Sequence, residues 1–396
     1  MVDNLGFGTE HMIVCYIDRI LSLLDTHSDK AAVIATSLDW ASAFDRQDPT
    51  LAILKFIKMG VRPSLIPLLA SYLTDRKMRV KFKSELSDLF ALIGGGPQGT
   101  LLGGIEYLVQ SNDNADFIPE EDRFKYVDDL SLLQFVCLTG LLVDYDFYQH
   151  VASDIGIEQK YLPASSATVQ DNLNHAANWT TENLMALNTA KCNFMIFTRS
   201  SNFTTRLTIE GKNLERVNVS KLLGIWITDD LSWAKNCQEI CKKAFSRLSM
   251  ITKLKYVGVP IEHLLDIYIL FIRSVAEYCA VAFHSSLTRE QSEKLEKIQK
   301  TSLKVTLGES YISYEAALEM CNLETLAERR EKRCLDFALK CTKHERNSRI
   351  FPLNPVETNL EVRKREKFHV NFARTSHYKN SAIPYCQRKL NYHFQN

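Results

Sequence analysis

The chain is organised around the stretch Phe124-Lys125-Tyr126-Val127-Asp128-Asp129-Leu130-Ser131-Leu132-Leu133. Its two apolar runs predict two strands, which places Asp128 and Asp129 in the tight turn of a hairpin. Neighbouring carboxylates repel each other, and this raises one pKa unless a positive charge lies between them. A divalent cation would supply that charge. The alternative is an ordinary solvated turn, where aspartate is common.

A second acidic position follows a second predicted strand. Residues 31–38 read AAVIATSL, the pattern of a buried strand, and Asp39 comes directly after them. Carboxylates at strand ends suit a pair of Mg²⁺ ions, about 4 Å apart, that clamp the attacking and leaving oxygens of a phosphoryl transfer. Mg²⁺ is usually held by few carboxylates, with waters and phosphates completing its shell. We therefore expect Asp39, Asp128 and Asp129 to bind two Mg²⁺ ions, with Mn²⁺ as an alternative.

Composition describes an ordinary globular chain. It has 396 residues, of which 45% are hydrophobic and 24% charged, enough for two or three domains. The sequence contains neither a long apolar span nor the basic and apolar regions of a signal peptide. We expect an intracellular protein of the nucleus or cytoplasm, neither secreted nor in a membrane. The ten scattered cysteines lack CxxC spacing, which indicates reduced thiols.

Charge is unevenly distributed along the chain. Residues 1–180 hold 14 Lys and Arg against 24 Asp and Glu, and residues 181–396 hold the remaining 34 against 23. An acidic half joined to a basic half suits an enzyme that acts on a polyanion, although incidental surface charge is the alternative. Residues 77–83 read KMRVKFK and predict one strand with a basic face. That face suits a nucleic-acid backbone, or simply a solvated edge strand.

The rest of the chain divides into a glycine-rich loop and a helical region. Residues 93–104 read IGGGPQGTLLGG and predict a loop whose backbone approaches a ligand closely before a helix begins. A plain structural turn is the alternative. From residue 232 the apolar spacing predicts helices over roughly 232–256, 260–283, 288–306 and 323–344. A basic segment follows residue 351.

Taken together, these blocks resemble the reverse transcriptase of non-LTR (LINE-type) retrotransposons, over about residues 9–390. Five motifs carry the resemblance in the family's order: Asp39-Trp40-Ala41-Ser42-Ala43-Phe44-Asp45 (D-x-x-x-A-F-D), Gly96-Pro97-Gln98-Gly99-Thr100 (the P-Q-G-[ST] block), Tyr126-Val127-Asp128-Asp129 ([FY]-x-D-D), Leu187-Asn188 with Lys191 (L-N-x-x-K), and Leu223-Gly224 with Leu231-Ser232-Trp233 (L-G…L-S-W).

The resemblance implies an α+β right-hand polymerase, with a palm built on a small antiparallel sheet, partial fingers and an all-helical thumb. Its domains would be partial fingers and palm over 1–230, the thumb over 231–350 and a basic tail over 351–396. The implied activity is RNA-directed DNA polymerisation, in which dNTPs are added to the 3′-hydroxyl of a DNA primer on an RNA template.

The family's roles transfer to matching positions. Asp39 and Asp128 would be the main metal ligands, with Asp129 assisting, and Lys191 would be a catalytic charge partner or general acid near the pyrophosphate. The remaining roles are an aromatic gate against ribonucleotides at Phe44, nucleotide and template contacts at Pro97, Gln98 and Gly99, and a primer grip at Gly224 and Trp233. The alternatives are packing for Phe44, Gly224 and Trp233, and helix capping for Lys191.

The sequence departs from the family pattern at two places. Residues 5–11 resemble the end of the family's G-F-R-x-G-x-S-T segment without its arginine, which predicts an N-terminally truncated chain with incomplete fingers. Gly103-Gly104 stands where the family usually has Gly-Pro. These departures keep a second interpretation open: a catalytically inactive, truncated or domesticated reverse-transcriptase-like protein that binds nucleic acid.

Overall fold

The computed structural model describes residues 8–27, 31–138, 165–200, 203–354 and 366–395. The chain forms two compact units. The first comprises Asp29–Val217, and the second comprises Asn218–Asn396 together with an N-terminal segment that contains helix α1, Thr9–His27. The compact units therefore divide close to residue 217, whereas the functional domains implied by the resemblance divide at residue 230 and include α1 in the first domain.

In its described residues, the first unit contains short strands and four α-helices. Its strands are β1 (Ala31–Leu38), β2 (Lys77–Met78), β3 (Lys81–Phe82), β4 (Glu85–Leu86), β5 (Phe90–Ala91), β6 (Arg123–Tyr126), β7 (Asp129–Cys137), β8 (Asn193–Thr198), β9 (Thr208–Ile209), β10 (Lys212–Asn213) and β11 (Glu215–Arg216). Its α-helices are α2 (Pro49–Lys58), α3 (Ile66–Leu73), α4 (Leu101–Ser111) and α5 (Ser166–Glu182).

A five-stranded sheet with the order β11-β8-β1-β7-β6 lies at the centre of this unit. Strands β8, β1, β7 and β6 pair antiparallel, and β11 runs parallel to β8. The central strand β1 is almost fully buried, as its uninterrupted apolar sequence predicts. Ile34, Leu132 and Phe194 of the sheet and Leu173 of α5 belong to one core cluster. Burial of each such side chain stabilises the fold by about 1.5–3 kcal/mol.

The prediction of one continuous strand over residues 77–83 is wrong. The structure has two separate two-residue strands there, because β2 pairs with β5 and β3 pairs with β4. The apolar side chains of this stretch remain in solvent: Met78 is 43%, Val80 55% and Phe82 71% exposed. Alternation alone predicts a buried face, but here no other layer of the described unit covers that face.

The second unit is mainly helical. After the hairpin of β12 (Val219–Leu222) and β13 (Ile225–Thr228), its helices are α6 (Ala234–Tyr256), α7 (Ile261–Ile267), α8 (Ser274–Glu277), α9 (Ala280–Phe283), α10 (Arg289–Leu307), α11 (Tyr314–Met320), α12 (Leu326–Lys343), α13 (Ser376–Lys379) and α14 (Ala382–Gln395). Three of the four helices predicted after residue 232 correspond to α6, α10 and α12.

Two regions of this unit differ from the sequence-based expectation. The helix predicted over 260–283 is interrupted by a π-helical turn at Tyr268–Arg273 and again at Cys279, whose φ is 50°. The described part of the basic segment after residue 351 is not a simple tail, because it ends in helices α13 and α14 with Cys386 and Leu390 fully buried. Its many basic residues obscured this apolar spacing.

The predicted α+β class, with a small antiparallel sheet followed by a mainly helical part, is confirmed. Within the described residues, none of the helices combines the length and apolar character that crossing a membrane requires.

Candidate active site

The predicted hairpin around Asp128 and Asp129 is confirmed. Strands β6 and β7 pair so that Tyr126 lies opposite Asp129, which leaves Val127 and Asp128 in a two-residue turn. Val127 has a φ of 54°, a conformation that a β-branched residue rarely adopts. Such strain costs about 1–3 kcal/mol and persists only where the surrounding structure imposes it. Both aspartates are exposed at the tip.

The register of the central strand β1 brings Asp39 to the end of the sheet at which the Asp128–Asp129 turn lies. In β1, Leu38 lies opposite Leu130 of β7, and Ser37 lies opposite Asn193 of β8. The next residue after β1 is Asp39, which therefore lies beside Asp129 on one flank. On the other flank is the segment that leads into β8 and carries Lys191. Four predicted catalytic residues, which come from three distant segments of the sequence, thus lie at the same end of these strands.

The backbone of Asp39 is held firmly. Its N–H donates to Sγ of the buried Cys192 over 3.4 Å, and its carbonyl oxygen accepts the N–H of Asn188 over 2.8 Å. Its carboxylate is not held in this way: Oδ2 is buried and accepts no hydrogen bond within the described structure. Nζ of Lys191 lies 3.5 Å from this oxygen, but the lysine side chain is 69% exposed, so solvent weakens the ion pair.

Negative charge accumulates at this edge. Partial burial of the Asp129 carboxyl against the sheet raises its pKa, and the charges of Asp128 and Asp39 raise it further. The pKa of the buried Tyr107 hydroxyl is also raised, first by burial and then by Asp128 and Asp129. A cation among these oxygens would relieve the repulsion, and oxygen donors are those that Mg²⁺ prefers.

The carboxylate oxygens at this site are of the kind that binds a metal ion, but they do not form a preformed metal-binding cluster. In the part of the chain that the structure describes, no three His, Cys, Asp or Glu side chains are grouped so that they could hold a metal ion. The Oδ2 of Asp39, which accepts no hydrogen bond, and the repulsion at Asp129 nevertheless suit a cation. The ligand set of Asp39, Asp128 and Asp129 therefore stays a prediction.

The glycine-rich loop contacts the segment that follows Asp39. Nε2 of Gln98 donates to Oδ1 of Asp45 over 2.8 Å, and the N–H of Gly96 donates to the carbonyl oxygen of Phe44 over 2.8 Å. The Phe44 ring packs on Tyr107 of α4, with 4.9 Å between ring centroids. Sequence reasoning assigned no role to Asp45 or Tyr107, although Asp45 belongs to the D-x-x-x-A-F-D motif.

Helix α4 begins where this loop ends. Oγ1 of Thr100 accepts the N–H of Gly103 over 3.1 Å, which is an N-cap hydrogen bond, and donates to the carbonyl oxygen of Pro97 over 2.8 Å. Gly99 has a φ of 81° and open space around it. At the other end of α4, Lys125 of β6 donates to the carbonyl oxygens of Ser111 and Asn112. The helix thus ties the loop to the aspartate hairpin.

Gly224 and Trp233, the predicted primer-grip residues, belong to the second unit. Gly224 lies in the exposed β12–β13 turn with a φ of 89°, and a Cβ there would be 3.2 Å from Cε1 of Tyr278. Trp233 is only 5% exposed and packs on Phe283, with 5.8 Å between ring centroids. The burial of Trp233 favours the packing interpretation for this residue.

Three curated relatives are similar to this chain. A probable RNA-directed DNA polymerase from transposon X-element of Drosophila melanogaster is 26% identical over 240 residues, which are 60% of this chain and 24% of that protein. The corresponding protein from transposon BS of the same fly is 25% identical over 253 residues, 63% of this chain and 26% of that protein. The RNA-directed DNA polymerase from mobile element jockey is 22% identical over 259 residues, again 63% and 26%.

Solved telomerase structures from Candida tropicalis are also similar, but weakly. A complex with a telomeric RNA fragment has a TM-score of 0.39 and 14% identity, covering 97% of this chain and 49% of that chain. The apo form has a TM-score of 0.37 and 16% identity, covering 86% and 50%. Scores this low carry no argument about the fold of this chain.

No family model matches the chain. The chain spans about a quarter of the length of the curated relatives. The resemblance predicted from the five motifs is nevertheless confirmed, since all these relatives are RNA-directed DNA polymerases of mobile elements. Over about 60% of its length, the chain is related to the RNA-directed DNA polymerases of non-LTR retrotransposons.

Proposed function

We propose that this chain is the polymerase core of a reverse transcriptase, which adds dNTPs to a primer 3′-hydroxyl on an RNA template. The observation that carries the proposal is the position of the predicted catalytic residues at one end of neighbouring strands. Strand pairing brings Asp39, Asp129 and the Lys191 segment together across long sequence separations. The curated relatives have this activity in their names.

In this proposal the sheet of the first unit is the palm of a right-hand polymerase, and the helices of the second unit are the thumb. The fingers would belong to the same unit as the palm. The functional domains would follow the predicted division at 1–230, 231–350 and 351–396. The exposed basic residues of β2 and β3 would contact template or primer phosphates.

Each residue at the sheet edge has a defined task. Asp39, Asp128 and Asp129 would hold two Mg²⁺ ions, which when bound supply Lewis-acid stabilisation of charge on the transferred phosphoryl group. Lys191 places a positive charge beside Asp39, where it would neutralise or protonate the pyrophosphate. Catalysis would depend mainly on positioning of the primer oxygen in line with the α-phosphorus.

The residues around the loop would select the nucleotide. Phe44 is held by Tyr107 at a position directly after the metal-binding segment, where its ring would exclude a ribose 2′-hydroxyl. Gln98, fixed by Asp45, and the open backbone at Gly99 would contact the incoming nucleotide and the template. Pro97 would set the direction in which the loop enters α4.

Primer extension on an RNA template with Mg²⁺ and dNTPs tests the proposal. We expect incorporation by the purified chain, loss of incorporation in Asp128→Asn and retention in Asp88→Asn, which changes an exposed aspartate outside the site. Incorporation that survives in Asp128→Asn would refute the assigned site. If neither the chain nor its variants incorporate nucleotides but all bind RNA, the alternative of an inactive nucleic-acid-binding protein is correct. Genuine phosphate binding would weaken steeply as salt is raised.

A further inference from the structure

Two buried polar side chains lie beneath the glycine-rich loop without hydrogen-bond partners. Glu106 of α4 is fully buried, and neither of its carboxylate oxygens is hydrogen-bonded in the described structure. Gln47 is 1% exposed, and both of its amide atoms are likewise unpaired. Both side chains reach Gly96: a Cβ there would lie 1.7 Å from Oε1 of Gln47 and 3.2 Å from Oε2 of Glu106. The two side chains therefore lie directly against Gly96 on the buried side of the loop.

Arg76 holds the same loop by its backbone. Its Nη2 donates to the carbonyl oxygens of Gly94, over 3.4 Å, and of Gly95. The N–H of Gly95 in turn donates to the carbonyl oxygen of Gln47 over 2.8 Å. The loop is therefore fixed between a guanidinium and the segment that carries Phe44. Its position determines where Gln98, two residues beyond Gly96, is presented.

Arg76 is also the charged group that acts on Glu106. Burial raises the pKa of the Glu106 carboxyl to about 7, and the nearby Arg76 guanidinium lowers it only in part. The 44–48 segment places the neutral Gln47 beside Glu106, while its Asp45 accepts a hydrogen bond from Gln98 and its Asp48 accepts the N–H of Leu51. The neighbouring Tyr107 packs on Phe44. A neutral Glu106 leaves Arg76 free to bind the loop carbonyls. An ionised Glu106 would attract the same guanidinium and so compete with those carbonyls, since the charge of Arg76 already acts on this carboxyl.

We propose that Glu106 is a positioning residue that acts as a protonation switch on the glycine-rich loop, by releasing Arg76 to the loop when neutral and withdrawing it when ionised. The consequence for nucleotide binding rests on the proposed polymerase function; the effect on the loop does not. The loop is ordered below neutral pH and loosens above it. Glu106 occupies a buried position of α4, near the buried Tyr107 and Val109, where a hydrophobic residue would be the ordinary choice.

Amide hydrogen exchange of peptides covering residues 92–103 tests the switch directly. For a pKa of about 7, the ionised fraction of Glu106 rises from about one tenth at pH 6 to about nine tenths at pH 8. We expect protection in the wild-type loop, corrected for intrinsic exchange, to fall several-fold over this range. Glu106→Gln, a neutral isostere, should keep the protection at every pH, and Arg76→Gln should lack it at every pH.

Two results would overturn the switch: a wild-type loop whose corrected protection does not change with pH, or a Glu106→Gln variant that shows the same decline. The wild-type series is decisive even if a variant fails to fold. A parallel primer-extension series separates this proposal from the polymerase proposal. If the switch and the polymerase are both real, the wild-type KM for dNTP rises with the loss of protection and that of Glu106→Gln does not. Switching without any incorporation would refute the polymerase alone.

Discussion

Replacing Gly103 by alanine should distort the glycine-rich loop, whereas the same change at Gly104 should not. An added Cβ on Gly103 would lie 2.4 Å from the carbonyl oxygen and 3.1 Å from the carbonyl carbon of Pro97. These are backbone atoms, so they can move only if the loop moves. The same Pro97 oxygen accepts the hydrogen bond of Thr100, whose side chain caps α4. At Gly104 a Cβ would meet nothing within 4 Å.

The two variants should therefore differ in the sign of their effect on stability. Alanine in place of glycine within a helix gains up to about 1 kcal/mol, and this is the expected result for Gly104→Ala. At Gly103 overpacking costs about 1–3 kcal/mol. Damage to the N-cap adds to that cost, since lost caps cost about 0.5–2 kcal/mol. We expect Gly103→Ala to be less stable than wild type by about 1–3 kcal/mol after the helix gain is included.

Thermal unfolding and amide exchange of peptides from α4 measure this difference, because exchange reports the local free energy of opening. We expect Gly103→Ala to exchange faster and Gly104→Ala to exchange as slowly as wild type or more slowly. Nucleotide incorporation, if present, should show a raised KM for dNTP in Gly103→Ala only. A Gly103→Ala protein as stable as Gly104→Ala would refute the close contact between α4 and Pro97.

Three further outcomes are expected. Mg²⁺ should raise the Tm of the wild type but not of Asp39→Asn, as seen in thermal shift assays; the rise should shrink at acidic pH, because Asp129, with its raised pKa, then keeps its proton. Phe44→Val should increase ribonucleotide incorporation relative to dNTPs in competition assays, and unchanged discrimination would exclude a gate at this ring. Glu277→Ala should destabilise the second unit by about 3–5 kcal/mol in urea unfolding, since it strips Arg329 of a bidentate partner; Glu293→Ala, at an exposed pair, should cost less than about 1 kcal/mol.

Local sequence patterns determined the elements on which the site is built. The apolar run ending at Leu38 predicted β1, and the apolar flanks of Asp128 and Asp129 predicted the hairpin. Both predictions succeed because burial and turn formation in short segments depend on neighbouring residues. The order of the five short motifs was sufficient for the family resemblance, and two of those motifs lie at the end of β1 and in this hairpin.

The local sequence pattern does not predict which surface an element packs against. Residues 77–83 alternate as a half-buried strand does, yet their apolar side chains remain exposed. Helix α1 carries an apolar face that could pack in either unit. The tertiary structure assigns this helix to the second unit. There Asp25, near the C-terminal end of α1, accepts the N–H groups of Arg374 and Thr375. Periodicity specifies that a face is buried but not which surface buries it.

The sequence by itself therefore determined which carboxylates stand at the ends of strands, and which family the chain resembles. Only the tertiary structure decided that β1 pairs with both β7 and β8, which brings Asp39 beside Asp129 and the Lys191 segment. Only the tertiary structure placed Glu106 beneath Gly96, because a buried glutamate in a helix has no signature in the residues around it. Contacts of this kind arise between segments far apart in the chain, where strand register and helix packing, rather than local propensity, determine the neighbours.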